Sequence, residues 1–176
     1  MIVLRQLSEK DAAFMLEWMH DYDIQKSFQK NMLDVTLEDA KRFCRDAKLN
    51  GNLKHGESMH LAIVNDEDEY LGTISLKNIN LEYRSAEFAI SLRKKARGRG
   101  VAADATRLLL KKGFAEIGLH RIYLTVLADN IAAIKLYEKC GFTYEGELRD
   151  HIYKNGQYVS WKLYGMLEDE YGKNNA

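Results

Sequence analysis

The sequence predicts an α/β fold on a mixed sheet, and three features predict it. Segments of period-two alternation stand between segments of helical spacing along the 176 residues. A glycine-rich turn, Arg97-Gly98-Arg99-Gly100, joins an apolar strand-like run at 86–92 to a helical pattern reaching about Gly118. A second strand-like run, 121–127, feeds a second capped helix in the same way.

The elements follow in order. Ile2 to Leu7 reads as the first strand. Ser8-Glu9-Lys10-Asp11 forms a capping box for a helix to about His20, with Ala12, Met15, Leu16 and Met19 at helical spacing. Residues 21–35 are polar and irregular. Thr36-Leu37-Glu38-Asp39 caps a second helix to about Leu49, and Asn50-Gly51-Asn52 is a turn signal. His60–Val64 and Tyr70–Ile79 read as an antiparallel hairpin with a solvated acidic tip at 66–69. Tyr83 to Leu92 is the next strand. The helix from Ala102 carries Leu109, Leu110, Phe114 and Ile117 on one arc, with Lys111 opposite. In 121–127, Ile122, Leu124 and Val126 alternate with Tyr123 and Thr125. Asp129-Asn130 caps a helix over 131–139, which Gly141 closes in a left-handed conformation that costs glycine nothing. Strands near 142–149 and 158–167 complete the order. A single domain over 1–170 is expected, with Glu168 onward a frayed polar tail that leaves the domain at 171–176.

Composition narrows the function classes. Lysine plus arginine and aspartate plus glutamate both number 26, so the formal net charge is zero. That argues against a nucleic-acid binder that relies on bulk charge. No apolar run approaches the ~20 residues of a membrane span, and Met1–Arg5 lacks the apolar region of a signal peptide. Neither a nucleic-acid nor a membrane partner is expected. Cys44 and Cys140 are too few for a disulfide scaffold and suit a cytoplasmic, reducing setting. Five histidines without ligand spacing predict no metal site.

A strand that enters a helix through a glycine turn can hold a pyrophosphate. The turn presents unpaired backbone N–H groups, and the helix start adds partial positive charge. Gly100 is followed by Val101 and Ala102, so this is no Walker loop, which ends in Gly-Lys-Ser/Thr. The third small residue of a dinucleotide fingerprint is also misplaced. The spacing is Arg97-x-x-Gly100-x-Ala102. Downstream, Asn130-x-x-Ala133-x-x-x-Tyr137-x-x-x-Gly141-Phe142 places Asn130, Ala133 and Tyr137 on one helical face.

These two blocks, in this order and separation, resemble the coenzyme-A loop and the second block of the GNAT N-acetyltransferases. The resemblance covers the whole chain through 71–76, 85–88, 119–121, 145–149 and 155–158. It is closest to the branch of ribosomal-protein N-terminal, spermidine and amino-sugar acetyltransferases. It implies a mixed, mostly antiparallel central sheet, two splayed strands around a pantetheine slot, and helices on both faces. It also implies acetyl-CoA as cosubstrate, with direct attack by a primary amine in a ternary complex. A homodimer or higher homo-oligomer fits it too, since the last strands often pair between subunits in this family.

On that resemblance, Arg97, Gly98, Arg99, Gly100, Val101 and Ala102 hold the phosphates, with Arg97 or Arg99 as charge partner. A backbone N–H near Ser91 or Leu92, freed where the strand bulges, serves the developing oxyanion. Ile90, Ala133 and Lys135 join the cofactor set. Asn130 contacts the cofactor, caps its helix, or does both. Tyr137 is the expected acid for the departing thiolate. Glu87 is the candidate base for the amine, directly or through water; a structural acceptor or substrate anchor is the other reading.

The acceptor stays open. Asp21, Asp23, Asp34, Glu38 and Glu82 could form an acidic mouth for a polyamine, and Tyr22, Phe28 and Tyr83 could stack on a nucleotide sugar. A protein N-terminus is an alternative acceptor. A non-enzymatic acetyl-CoA sensor or scaffold is a third class, against which the phosphate loop and Tyr137 together speak.

Overall fold

The computed structural model describes residues 1–25, 31–48 and 53–174. Seven strands form one sheet in the order β1-β2-β3-β4-β5-β7-β6. They are β1 Val3–Gln6, β2 Met59–Val64, β3 Tyr70–Asn80, β4 Ser85–Leu92, β5 Arg121–Leu127, β6 Thr143–Lys154 and β7 Gln157–Leu167. Every neighbouring pair is antiparallel except β4–β5. The mixed, mostly antiparallel sheet expected from the sequence is therefore present.

Helices cover both faces. On one side, α1 Ala12–Met19 and α3 Leu37–Asp46 bury Met15, Trp18, Ala40 and Cys44 against Ala62, Val64 and Tyr70. On the other, α4 Val101–Lys111 and α5 Ile131–Lys139 bury Ala105, Leu109, Ile134 and Tyr137 against Ile74, Leu76, Phe88, Ile122 and Leu124. Strand alternation assigns each side chain to a face, so even-numbered residues of β4 and β5 point to α4 and α5. A one-turn helix, α2 Tyr22–Gln25, lies in the stretch expected to be irregular.

Local chemistry explains the boundaries. Thr36 Oγ1 accepts the Asp39 N–H at 3.2 Å, and Asp39 Oδ2 accepts the Thr36 N–H at 3.0 Å, completing the capping box of α3. Ahead of α1, the buried Asp11 carboxylate accepts two bonds from Arg5, both at 2.8 Å, and the Ser8 N–H at 2.9 Å. A buried charge needs that degree of pairing. Gly141, at φ 92°, ends α5 as expected. Leu49, the Asn50-Gly51-Asn52 turn and Phe28 lie outside the described residues.

The chain's end departs from expectation. Glu168–Asn174 is a helix, α6, rather than a frayed tail. Three acids occupy its first turn, where the helix dipole favours them, and Glu170 Oε2 accepts the Leu167 N–H at 2.9 Å. Tyr171 stacks on Phe114 with ring centroids 5.0 Å apart. One aromatic anchor outweighs a polar composition. The helix after the glycine turn also changes character: beyond Lys111 it continues as a π-helical segment, Lys112–Ile117, before Gly118 at φ 76°.

Candidate active site

Strands β4 and β5 pair only at Ser85↔Arg121, Ala86↔Ile122 and Glu87↔Tyr123. Beyond Glu87 they part, because β5 continues on β7 while β4 continues on β3. A cleft of about 640 Å³ opens there, lined by Glu87–Leu92, Thr125–Leu127, Arg97, Gly98 and Ala102, and by Asn130, Ala133 and Tyr137 from α5. The two strands splay as expected.

Which backbone groups face it follows from the ladder. The Arg93 N–H donates to the Leu71 carbonyl at 2.9 Å, and the β3–β4 register runs unbroken from Gly72↔Leu92 to Lys77↔Glu87. Antiparallel alternation then turns the backbone of Ser91 and Ala89 toward β3, and that of Leu92, Ile90 and Phe88 toward the cleft. No bulge lies at Ser91 or Leu92. The expected bulge is thus corrected: divergence of the strands, not an inserted residue, frees the Ile90 and Leu92 N–H groups.

At the wide end sits the glycine turn. Gly98 and Gly100 are left-handed, at φ 73° and 81°, and Gly100 caps α4. That conformation turns successive N–H groups to one side, an arrangement suited to anions. The two arginines differ. Arg97 donates through Nη2 to Asp21 Oδ2 at 2.7 Å and to the Leu92 carbonyl at 3.1 Å, and through Nε to the same carbonyl at 3.2 Å. It therefore ties the turn to β4 and to the residue before α2. Burial pushes the Asp21 carboxyl up, but the Arg97 contact and backbone donors outweigh it and hold it below its ordinary range. Arg99 is exposed, with no hydrogen bond or ion pair to the described residues. Val101 is buried in the first turn of α4, and Lys135 is exposed outside the cleft lining.

Asn130 caps α5, its Oδ1 accepting the Ala133 N–H at 3.2 Å. Tyr137 lies two turns along the same face. Its ring packs edge-on at 5.8 Å from Phe88 and at 6.0 Å from Phe142, and those two rings lie 5.6 Å from each other. The side chain is buried, yet its hydroxyl makes no hydrogen bond to the described residues and belongs to the cleft lining. Burial pushes the phenol up to about 12. Cys140, at the end of α5, is half-buried and its thiol is pushed up by burial; the Cys44 thiol rises to about 11 for the same reason.

Glu87 lies on the other face of the sheet from Tyr137, with Tyr123, Thr125 and Trp161. The slot connects these faces. Lys77 Nζ donates to Glu87 Oε1 at 2.8 Å, and Asn78 Nδ2 to Oε2 at 3.3 Å. Neighbouring strand residues normally point to opposite faces. Both reach one carboxylate because Asn78 is left-handed, at φ 51°, where the β3–β4 register shifts. Further along that face, Ser75 Oγ contacts His60 Nδ1 at 2.7 Å. Burial, then the nearby Lys77 charge, pushes the His60 pKa down.

Of the five acids considered for a polyamine mouth, Asp23 alone lines the cleft. Asp21 holds Arg97, and Glu38 pairs with Arg45 at 2.8 Å. Tyr22 and Tyr83 are exposed away from it. Sequence reading missed Lys77, Thr125 and Trp161, which only strand register brings together. Among the described residues, no three His, Cys, Asp or Glu side chains gather as a metal site, and no helix is long and apolar enough to cross a membrane.

Residues 2–143 match the family described as the acetyltransferase (GNAT) domain. The chain belongs to that family and is an N-acetyltransferase. It is 32% identical over 157 residues to spermidine N(1)-acetyltransferase of Escherichia coli, covering 89% of this chain and 81% of that protein. The crystal structure of spermidine N-acetyltransferase from Vibrio cholerae with CoA and spermine is similar at a TM-score of 0.84 and 26% identity, over 97% of both chains. The same Vibrio enzyme in complex with manganese ions is similar at a TM-score of 0.78 and 25% identity, over 99% of this chain and 97% of that one.

Proposed function

We propose that this protein transfers the acetyl group of acetyl-CoA to a primary amine of a small molecule, a polyamine, by direct attack in a ternary complex. The observation that carries this reading is the slot between β4 and β5, with the phosphate turn and Tyr137 toward one face and Glu87 toward the other. The spermidine acetyltransferase relatives support the polyamine class.

Each residue's part follows from its position. The amides of the glycine turn and the charge of Arg99 hold the donor's phosphates, while Arg97 keeps the turn in place. The cleft-facing backbone of Phe88, Ile90 and Leu92 pairs with the pantetheine amides as an added strand would. The N–H of Ile90 or Leu92 meets the carbonyl oxygen as it gains charge. Ala133, Asn130 and the α5 face close the slot. Lys135 lies outside the lining, so its part is limited to the exposed end of the cosubstrate.

The amine enters from the Glu87 face. An ammonium has no lone pair, so Glu87, directly or through water, takes its proton. Nitrogen then bonds to the acetyl carbon, the carbon–sulfur bond breaks, and the proton that nitrogen sheds ends on sulfur. A phenol near 12 is a weaker acid than a thiol of ordinary pKa, about 8.5. Tyr137 therefore acts by donating a hydrogen bond to sulfur as its charge builds, rather than by surrendering its proton outright.

Two free cysteines fit a cytoplasmic setting. A homo-oligomer belongs to the same reading, with β6, one of the two edge strands of the sheet, as the pairing edge. The test is acetyl-CoA-dependent thiol release with spermidine, a nucleotide-linked amino sugar and an N-terminal peptide in parallel. Release with spermidine alone fits; release with another acceptor alone overturns the polyamine assignment.

A further inference from the structure

The carboxylate that faces the acceptor is already occupied. Lys77 stands directly across from Glu87 in the β3–β4 register, its ammonium 2.8 Å from Oε1, and both residues line the cleft. Asn78 holds the second oxygen through a left-handed turn of the strand. Lys77 is about one-third exposed and Glu87 about one-fifth, at 35% and 22% of their side chains, so the pair meets both solvent and the cavity.

A lysine side chain is a primary ammonium on a four-carbon stem. A polyamine's aminobutyl end is the same group. We infer that Lys77 is a specificity-determining residue of the acceptor site: its ammonium takes the seat on Glu87 that the acceptor's ammonium needs, and the acceptor binds by displacing it. This rests on the amine-acceptor reading above.

The remaining charges support that role. Arg97 lines the cleft too, but Asp21 neutralises it. Asp23 and Glu87 are the acids that line the cleft, and Lys77 offsets one of them. Partly exposed ion pairs are weak, so the seat can be vacated. Displacement leaves Lys77 free to turn to solvent while Asn78 keeps Glu87 in position. The seat therefore favours acceptors that bring a second cationic centre to this acidic lining over amines with a single charge, which gain too little to evict Lys77.

The test reads binding, so that it stands apart from turnover. Affinities for spermidine and for 1-butylamine are measured by calorimetry on the CoA-bound protein and on its Lys77→Met and Lys77→Gln variants, with melting temperatures alongside. Both variants are expected to bind each amine about fivefold more tightly, the gain being proportionally larger for butylamine. Lys77→Arg, which keeps the charge, is expected to show no gain. Unchanged or weaker amine binding in both neutral variants, at wild-type melting temperature, overturns the inference. Should Lys77→Met lower the melting temperature, Lys77→Gln, which retains a donor for Glu87, decides. If wild-type protein binds spermidine without acetylating it, the polyamine reading fails while the displacement result stands.

Discussion

Glu87 and Tyr123 are the last register pair between β4 and β5. One residue beyond them, both faces of the sheet communicate through a gap whose edges are unpaired main chain. That single divergence opens the cleft and the passage from the Tyr137 face to the Glu87 face, and in the proposed mechanism it supplies the acyl slot and the oxyanion N–H groups.

On the proposed mechanism, Tyr137 supplies a hydrogen-bond donor rather than a titrating acid. Tyr137→Phe is expected to lower kcat about 10- to 100-fold, the worth of a hydrogen bond to a charged atom, with little change in KM for acetyl-CoA. Burial raises the phenol to about 12, so the donor form persists below that value and disappears only above it. The pH profile of kcat should therefore stay flat on its basic side from about pH 8.5 to 10.5. A fall with a midpoint near 9, absent in Tyr137→Phe, would contradict this account.

Direct attack in a ternary complex, as proposed, predicts no covalent acyl-enzyme at cysteine. Cys140 is half-buried at the end of α5 with its thiol pushed up by burial, which opposes thiolate formation. Cys140→Ala is expected to retain activity within about twofold. Mass spectrometry after incubation with acetyl-CoA alone should find no added acetyl mass at Cys140; a stoichiometric acetyl-cysteine would refute direct attack.

The two arginines of the glycine turn should separate by experiment. Arg99, exposed and unpaired among the described residues, is proposed to act on the phosphates through charge. Arg99→Ala is expected to raise KM for acetyl-CoA about five- to tenfold at low salt, with the difference shrinking as salt is added. Arg97→Ala, which breaks ties to Asp21 and to the Leu92 carbonyl, should also lower the melting temperature. Thermal scans of both variants check the distinction.

Gly72 holds β4 against β3 where the cleft-facing backbone begins. A Cβ there would lie 2.3 Å from the Ser91 carbonyl oxygen and 3.0 Å from the Leu92 Cα, both main-chain atoms that cannot rotate away. Gly72→Ala is expected to cost about 1–3 kcal/mol in denaturant unfolding, and to raise KM for acetyl-CoA by shifting Leu92.

Much of this site was legible because it is local in sequence. The glycine turn and the run from Asn130 to Phe142 each sit within one strand-to-helix unit, so spacing alone brought Gly98, Ala102, Asn130, Ala133 and Tyr137 to the cleft. What escaped depends on tertiary register. Lys77, Thr125 and Trp161 come from three strands, and Lys77 joins Asn78 on Glu87 through a local left-handed residue that no periodicity signals. The expected bulge at Ser91 or Leu92 was unnecessary, because divergence of two strands exposes the same N–H groups. Helix α6 was missed because a polar stretch hides a single anchoring ring, Tyr171 on Phe114.

The most direct test of the central claim is thiol release from acetyl-CoA with spermidine, comparing wild-type protein with Tyr137→Phe under saturating acetyl-CoA. The account predicts one thiol released per acetylated amine, and a turnover at least tenfold lower in the variant at unchanged acetyl-CoA affinity. Equal turnover in the two proteins, or no release with spermidine while another amine reacts, would contradict it.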